Sequence, residues 1–520
     1  MHTHIQYGPA MVKEFYTENN VIFLTGATGF VGKTLLEKIL RSLPNIKKIY
    51  LLIRVSGKMT LQGRIEKEIF TCRIFDTLKA QFATPEDFYN TIVKKVVPVK
   101  GDITVERLGL SDDDLTMIQR DTNIVLNSAA SVSFDDPLNN ALELNTKGPL
   151  RTIEIARGMP KLAAVVHIST CYVNSHLPGG SHLQEKVYAH PFTNDPEALF
   201  DRLQRMSYEE IRNFERDTVL KTYLNTYTFS KSLTEHLIQR RYSQWRLPIV
   251  IVRPSIVTAA IAEPVPGWVE GVAAANKAVV SCALGQVQEW IGDVQKKTDL
   301  IPVDMTVKLI LLAATTASSS APRASIYHAG TSGINPVTWG TFGAYLTAYW
   351  RSVARPRRRV SDDIRFEMYS PAEFKHRFDE RFGDQIRHLA QIQDAKVKRR
   401  TQALISKAHA VPTMFRKFAS NEWIFEAVEA MSLDDVAPVD FQCRLRAGID
   451  WHRYLEDYNA GVQEFILREP VDHSVVVDYG LRPLTLELKP FPGISNDSNN
   501  NSNVRAMTER KEQQSLISRL

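Results

Sequence analysis

Cysteine is scarce in this 520-residue chain. Cys72, Cys171, Cys282 and Cys443 lie far apart with no C-x-x-C pair, which excludes a disulfide framework and a thiolate metal centre and suits a reducing compartment. No metal site is expected. Long apolar runs are also missing. Spanning a bilayer takes about 18–20 consecutive apolar residues, and the best candidates, Leu247–Ala262 and Leu309–Ala314, are interrupted by Arg253 and Pro254 or too short. The opening residues Met1-His2-Thr3-His4-Ile5-Gln6 show no basic-then-apolar signal pattern. Net charge is small: 64 Lys and Arg against 58 Asp and Glu leave +6. That is too little to argue for nucleic acid, though it is compatible with a polyanionic small ligand or an acidic membrane surface. No internal repeat is present. What remains, 44% hydrophobic and 23% charged residues, is the composition of an ordinary globular chain long enough for two or three domains.

The most informative stretch is Val21-Ile22-Phe23-Leu24-Thr25-Gly26-Ala27-Thr28-Gly29-Phe30-Val31-Gly32-Lys33. A short apolar strand runs into glycines spaced by three, and Thr34–Leu40 continues with helical apolar spacing. Strand, glycine turn and helix in that order make a dinucleotide pyrophosphate site. Gly26 permits the turn, Gly29 the approach of the phosphates and Gly32 close helix–strand packing. The free N–H groups at the helix start would hold the anion. The spacing is G-x-x-G-x-x-G, which points to the extended form of the short-chain dehydrogenase/reductase group. Thr25, Gly26, Thr28, Gly29, Phe30, Val31 and Gly32 are accordingly candidate cofactor residues.

Lys47–Arg54 reads as the second strand. An acidic residue at its end would hold a ribose 2′-hydroxyl, whereas an arginine accommodates a 2′-phosphate, so Arg54 argues for NADPH. Val96–Ile103 is the third strand, with Asp102 and Ile103 at the carboxyl end where ligands bind; Asp102 either touches the adenine or caps a turn. Asn123–Ala130 is the fourth and runs into Ala129 and Ala130, small enough to leave room for the nicotinamide ribose. Val165–Thr170, Pro248–Ser255 and Ser325–Ala329 complete a set of near-continuous Val/Ile strands alternating with helices. This is the pattern of a Rossmann-type, doubly wound parallel α/β sheet.

Past residue 340 the rhythm fades. Residues 1–364 are read as the NADPH-binding reductase domain with substrate-binding insertions, 365–490 as a smaller, mainly helical C-terminal domain and 491–520 as a disordered tail. Amphipathic helices are expected from Trp423 to Met431 and from Tyr454 to Glu469. Leu404–Phe418 mixes apolar and basic residues, which leaves peripheral membrane contact open; Pro412 breaks its periodicity, and packing on its own domain is the expectation. The charged stretch Thr193–Val219 is expected to cover an acyl entrance. The chain closes on Ser518-Arg519-Leu520, close to the Ser-Lys-Leu peroxisomal address, so a peroxisomal import receptor is an expected partner.

Tyr227-Thr228-Phe229-Ser230-Lys231 carries the chemistry. Four residues apart on a helix, the Tyr227 hydroxyl and the Lys231 ammonium share a face, and the ammonium is expected to pull the phenol pKa down toward neutrality. Lys231 can also hold the nicotinamide ribose. Thr170 ends the fifth strand, placed to hydrogen-bond a carbonyl oxygen that becomes an oxyanion on hydride attack, with Ser169 the alternate.

Thr25–Gly32, Ser128-Ala129-Ala130, Ser133–Leu138, Asn145-Thr146-Lys147-Gly148, His167–Asn174, Tyr227 with Lys231, Val252–Val257, Glu263–Trp268, Asp299–Met305 and Thr331–Trp339 together resemble the fatty acyl-CoA reductase family. Ile449–Glu456 and Gly461–Leu467 are similar to that family's small C-terminal domain. The resemblance spans roughly residues 19–469 and adds Asn145 and Pro254 to the cofactor residues. It implies reduction of a long-chain acyl-CoA to a primary alcohol by two NADPH through an aldehyde that need not leave. Many members carry membrane-anchoring segments near the C-terminus, which this sequence does not show. A reductase that stops at the aldehyde, an extended reductase acting on another carbonyl and a non-catalytic NADPH sensor are the competing readings.

Overall fold

The computed structural model describes residues 11–55, 59–475 and 477. At its centre lies a seven-stranded sheet of β1 (Val21–Thr25), β2 (Lys48–Ile53), β3 (Val96–Lys100), β4 (Ile124–Asn127), β5 (Ala164–Ile168), β6 (Ile249–Pro254) and β7 (Ser325–Ala329). Every pairing is parallel, and the spatial order is β7-β6-β5-β4-β1-β2-β3. All seven strands expected from the Val/Ile runs are present. The order reverses between β1 and β4, so the crevice beyond their carboxyl ends is where a ligand belongs in such a sheet.

Alternation along each strand feeds two cores. From β1, Ile22 and Leu24 enter one together with Leu36, Val166 and Leu309, while Phe23 enters the other with Tyr50, Val125, Leu233 and Ile251. Covered on both faces, the strands have no polar side to present, and their sequences are correspondingly apolar throughout.

The helices that matter for the site are α1 (Phe30–Ser42), α2 (Thr226–Trp245), α3 (Ala274–Ala283), α4 (Val303–Ala314), α5 (Pro371–His388), α6 (Ala395–Ala419) and α7 (Trp451–Gly461). Every residue of α4 is buried. Helix α6 runs unbroken through Pro412, contrary to the expected interruption. Val411 and Phe415 pack on Trp290 and Ala278, and this burial outweighs the roughly 3 kcal/mol that an interior proline costs a helix. Between Trp423 and Met431, where a helix was expected, Ile424–Phe425 instead pairs as a strand with His182–Leu183, and a helix begins only at Val428.

The described residues fall in one compact unit. The boundary expected at 364/365 lies inside it, where Glu367–Tyr369 pairs with Glu289–Ile291. The tail 491–520 and its final tripeptide lie outside the described residues.

Candidate active site

At the carboxyl edge of β1 and β4 the chain needs a glycine. Gly26 has φ +76°, and a Cβ there would sit 2.8 Å from the Ala129 nitrogen, so the turn after β1 and the loop after β4 touch backbone to backbone. A Cβ on Gly32 would overlap the Gly26 carbonyl, which is why α1 can start so close to its strand. Gly29 differs: a Cβ there would meet only the Gly26 oxygen, at 3.4 Å, and its outer side faces a cavity of about 600 Å³. The cradle left by the three glycines at the start of α1 fits a pyrophosphate.

Gly26, Thr28, Gly29, Phe30, Val31, Gly32, Arg54, Asp102, Ile103, Ala129, Ala130, Ser169, Thr170, Tyr227, Lys231 and Pro254 all line this cavity. Two candidates stand behind its wall. Thr25 accepts from the Ser128 and Ala129 N–H groups (3.2 and 3.1 Å) and donates to Asn127 Oδ1 at 3.2 Å, pinning the β4 loop to β1. Asn145 is buried, accepts from Ser131 N–H at 2.9 Å, and donates to the Ser131 carbonyl at 3.1 Å and Ser230 Oγ at 3.3 Å, bracing that loop against α2. Both act by positioning.

One end of the cavity is basic. Arg54, 65% exposed, lies 4.0 Å from Asp102 Oδ2. Arg64, which no motif marked, donates to the Arg54 carbonyl and joins it in the lining. Asp102 lines the cavity, and its Oδ1 accepts from Thr104 N–H and Oγ1 at 2.9 and 2.8 Å, the turn contact that was one of the two roles weighed for it. Across the cleft, buried Lys33 of α1 holds Glu270 at 2.6 and 2.7 Å, and Phe30 packs on Trp268 with ring centroids 5.2 Å apart.

The other end is built by α2. Asn225 and Thr228 form a reciprocal cap at its start. Its buried face is tied down by Thr146 Oγ1 to the Ser230 carbonyl (3.0 Å), Thr234 Oγ1 to the Asn145 carbonyl (2.8 Å) and a buried ion pair of Glu235 with Arg253 of β6. Tyr227 and Lys231 are thereby fixed in the cleft. Lys231 Nζ donates to the Ile168 carbonyl at 2.8 Å, and burial lowers its pKa to about 8 against an opposing pull from Glu235. Burial pushes the Tyr227 phenol well above its ordinary 10, opposed by a hydrogen bond with Thr170. The expected lowering of the phenol by Lys231 is therefore absent: desolvation dominates. Thr170 Oγ1 also accepts from Tyr172 N–H at 3.3 Å. Ser169 Oγ, buried and lining the same cavity, has no internal partner.

Beyond Tyr227 the wall turns aromatic. Phe134 stacks on Phe418 at 5.1 Å and lies 6.3 Å from Tyr227, while Tyr172 meets Phe418 edge-on at 5.1 Å. Phe418 arrives from the end of α6, so the segment whose membrane role was left open contributes to the cleft. Thr193–Val219 contributes nothing to the lining. Its Phe214 packs on Phe192 and Phe229, on the far side of α2 from the cleft, and the expected acyl cover is not found there.

A pyrophosphate cradle at one end, a half-buried phenol and a buried ammonium at the other and a hydroxyl beside them suit hydride chemistry on a carbonyl. These features define a nicotinamide-dependent oxidoreductase of the extended short-chain dehydrogenase/reductase group. The comparisons carry this further. The family model described as male sterility protein, an NAD-binding domain, matches residues 24–310. Fatty acyl-CoA reductase 1 of Arabidopsis thaliana is 36% identical over 354 residues, covering 64% of this chain and 70% of that protein. Fatty acyl-CoA reductase 1 of Rattus norvegicus is 30% identical over 470 residues, covering 88% and 86%. Among solved structures, the terminal R domain from the myxalamid PKS-NRPS biosynthetic pathway aligns over 87% of this chain and 93% of its own with a TM-score of 0.57 at 19% identity, a likeness of fold. The chain belongs to the fatty acyl-CoA reductase family.

Proposed function

We propose that this protein reduces a long-chain fatty acyl-CoA to the primary alcohol with two NADPH, by way of the aldehyde. The observation that carries the reading is the convergence in one cavity of the glycine turn, the Tyr227–Lys231 pair and the aromatic wall of Phe134, Tyr172 and Phe418. Arg54 and Arg64 at the basic end support NADPH over NADH, since two guanidinium groups match a 2′-phosphate.

The bound dinucleotide supplies hydride to the carbonyl carbon. Ser169 Oγ, with its hydrogen-bonding capacity unused inside the protein, donates to the thioester oxygen as negative charge gathers there. Tyr227, kept protonated by burial, is an acid held in reserve for that oxygen, and the raised pKa suits reduction better than a lowered one would. Thr170 orients the phenol, and Lys231, one turn on, stabilises the anion left when the phenol gives up its proton. The hemithioacetal returns its hydroxyl proton to the phenolate as the C–S bond breaks and CoA leaves as the thiolate, and a second hydride with the proton of the restored phenol turns the aldehyde into the alcohol. The aromatic wall keeps water from the carbonyl and receives the acyl chain.

Incubation of the purified protein with palmitoyl-CoA and NADPH tests this. Two NADPH oxidised per CoA released, with alcohol as product, is the expected outcome. One NADPH per CoA with free aldehyde would mark an aldehyde-forming reductase, and no turnover on any acyl-CoA would refute the reading. Tyr227→Phe abolishes turnover while leaving NADPH binding nearly intact. Peroxisomal delivery through Ser518-Arg519-Leu520 belongs to the same proposal: import of a chain lacking those three residues would overturn it.

A further inference from the structure

The protein's charge is concentrated in one place. The hairpin of α5 and α6, from Pro371 to Ala419, holds eleven Lys and Arg against five Asp and Glu. That excess of six equals the net charge of the entire chain, +6, so the rest of the molecule balances. The excess is sharper on α6, whose 25 residues include seven Lys and Arg and no acidic residue. Most acids of the hairpin are already committed. On α5, Glu373 pairs with Arg377, Asp379 with Lys375 and Asp384 with Arg387, while Asp394 caps α6 through the Lys396 and Val397 N–H groups at 2.7 and 3.0 Å. Lys396, Lys398, Arg399 and Arg400 thus crowd the first turns of α6 with no ion-pair partner among the described residues.

The tip is also apolar on its outside. The inner faces of the hairpin meet through Phe374, Phe378, Phe382 and Ala408. Towards the turn this packing ends, and Ile386 and Val397 stand 45% and 47% exposed between Arg387 and the α6 cations. Exposed aliphatic side chains beside four cations that have no ion-pair partner among the described residues are what an interfacial element presents to an anionic bilayer: the cations meet headgroups and the aliphatics dip below them. None of the helices among the described residues is long and apolar enough to cross a membrane, so such contact is with the surface. The far end of the same helix delivers Phe418 to the wall of the cleft.

We propose that the tip of the α5–α6 hairpin, Ile386 to Arg400, docks on the surface of an anionic phospholipid bilayer. Charge complementarity sets the affinity, and α6 links the docked tip to the cleft. The consequence for a long-chain acyl thioester rests on the function proposed above, whereas the docking itself does not. A substrate of that class partitions into bilayers, and docking keeps the cleft beside its source.

The test uses the full-length protein and its charge-neutral variant Lys396→Gln, Lys398→Gln, Arg399→Gln, Arg400→Gln, with Ile386→Ser, Val397→Ser as a second variant. Sedimentation is measured with phosphatidylcholine vesicles, with and without phosphatidylserine, at low and high salt. The native protein sediments with the phosphatidylserine vesicles at low salt and is released by high salt. Each cation near the surface contributes roughly fivefold to the partition coefficient, so the quadruple variant loses on the order of a hundredfold or more, and the serine variant a smaller part. All three forms turn over a soluble short-chain acyl-CoA equally. Absence of turnover by all of them defeats the proposed function and leaves the vesicle result standing. Equal sedimentation of native and quadruple variant, equal binding to phosphatidylcholine alone, or no binding to either vesicle would overturn the docking proposal. Capture of an acidic protein in place of phosphatidylserine vesicles would overturn it too.

Discussion

Replacing Lys231 with methionine separates what this residue does for catalysis from what it does to the fold. The ammonium is buried on α2, and its pKa falls from the ordinary 10.5 of lysine to about 8. At about 1.4 kcal/mol per pH unit, carrying that proton in the folded state costs about 3 kcal/mol at neutral pH. Its bond to the Ile168 carbonyl, 2.8 Å, returns part of this. Losing that bond leaves a buried carbonyl unpaired, worth about 1–2 kcal/mol, and methionine fills similar volume with little strain. The net expectation is a variant more stable by about 1–2 kcal/mol at pH 7 and without activity.

The pH dependence gives a sharper signature. Between pH 8 and 10.5 the unfolded chain still holds the Lys231 proton while the folded one has released it. The unfolded state then binds more protons, so native stability rises with pH across that window. Methionine cannot titrate. The advantage of the variant shrinks by about 3 kcal/mol from pH 7 to above 10.5 and changes sign. Urea unfolding of both proteins at several pH values measures it. A constant difference across the window, or a variant several kcal/mol less stable at pH 7, would refute the reasoning.

Other expectations follow from the same geometry. Gly32→Ala places a methyl on the Gly26 carbonyl; NADPH affinity read by fluorescence titration falls at least tenfold, the equivalent of ~1.4 kcal/mol, and unchanged affinity would exclude a tight turn at that point. Arg54→Asp lowers the preference for NADPH over NADH, with Arg64→Ala a second, smaller step, and an unaltered ratio of kcat/KM for the two cofactors would remove the basic end from phosphate binding. Arg253→Met leaves Glu235 charged and unpaired in the core, where both side chains are 1% exposed. That costs about 3–5 kcal/mol in a denaturant melt, and the double variant with Glu235→Leu recovers most of it.

The sheet was legible because parallel strands covered on both faces have no reason to hold polar residues, and the seven Val/Ile runs stand out for that reason. The glycine turn and the Tyr227–Lys231 spacing were legible because each is local. What the sequence hid depends on contacts between distant segments. Arg64 carries no motif and gains its place only because a short helix turns it toward Arg54. Thr25 and Asn145 sit inside recognisable motifs, yet their side chains face the protein. The direction of the Tyr227 pKa is set by the depth of burial, which four residues of spacing cannot report. Pro412 stays helical because Trp290 and Ala278, far away in sequence, cover its neighbours. Asn335 lies in Thr331–Trp339, one of the stretches that carry the family resemblance; it accepts from Ile449 N–H at 2.8 Å and its carbonyl from Trp451 Nε1 at 3.0 Å, so that stretch and the C-terminal one hold each other.

One arrangement among these bears on how the protein is made. The loop and helix start that wall the cleft, around Gly267 and Asn276, are braced by α7. Tyr458 donates to Asn276 Oδ1, Tyr454 donates to the Ala259 carbonyl at 2.8 Å, and neither Gly461 nor Gly267 can carry a side chain, since a Cβ would overlap the Gly267 carbonyl in the first case and the Asp457 carbonyl in the second. Synthesis proceeds from the N-terminus at about 5–20 residues per second. The glycine turn, Tyr227 and Lys231 all leave the ribosome long before α7 exists. The nascent chain then holds the groups proposed for catalysis while its cleft still lacks a buttress. A premature stop codon before Trp451 would yield a product with an intact set of motifs and an unfinished wall, and surveys by motif alone would count that product as an enzyme.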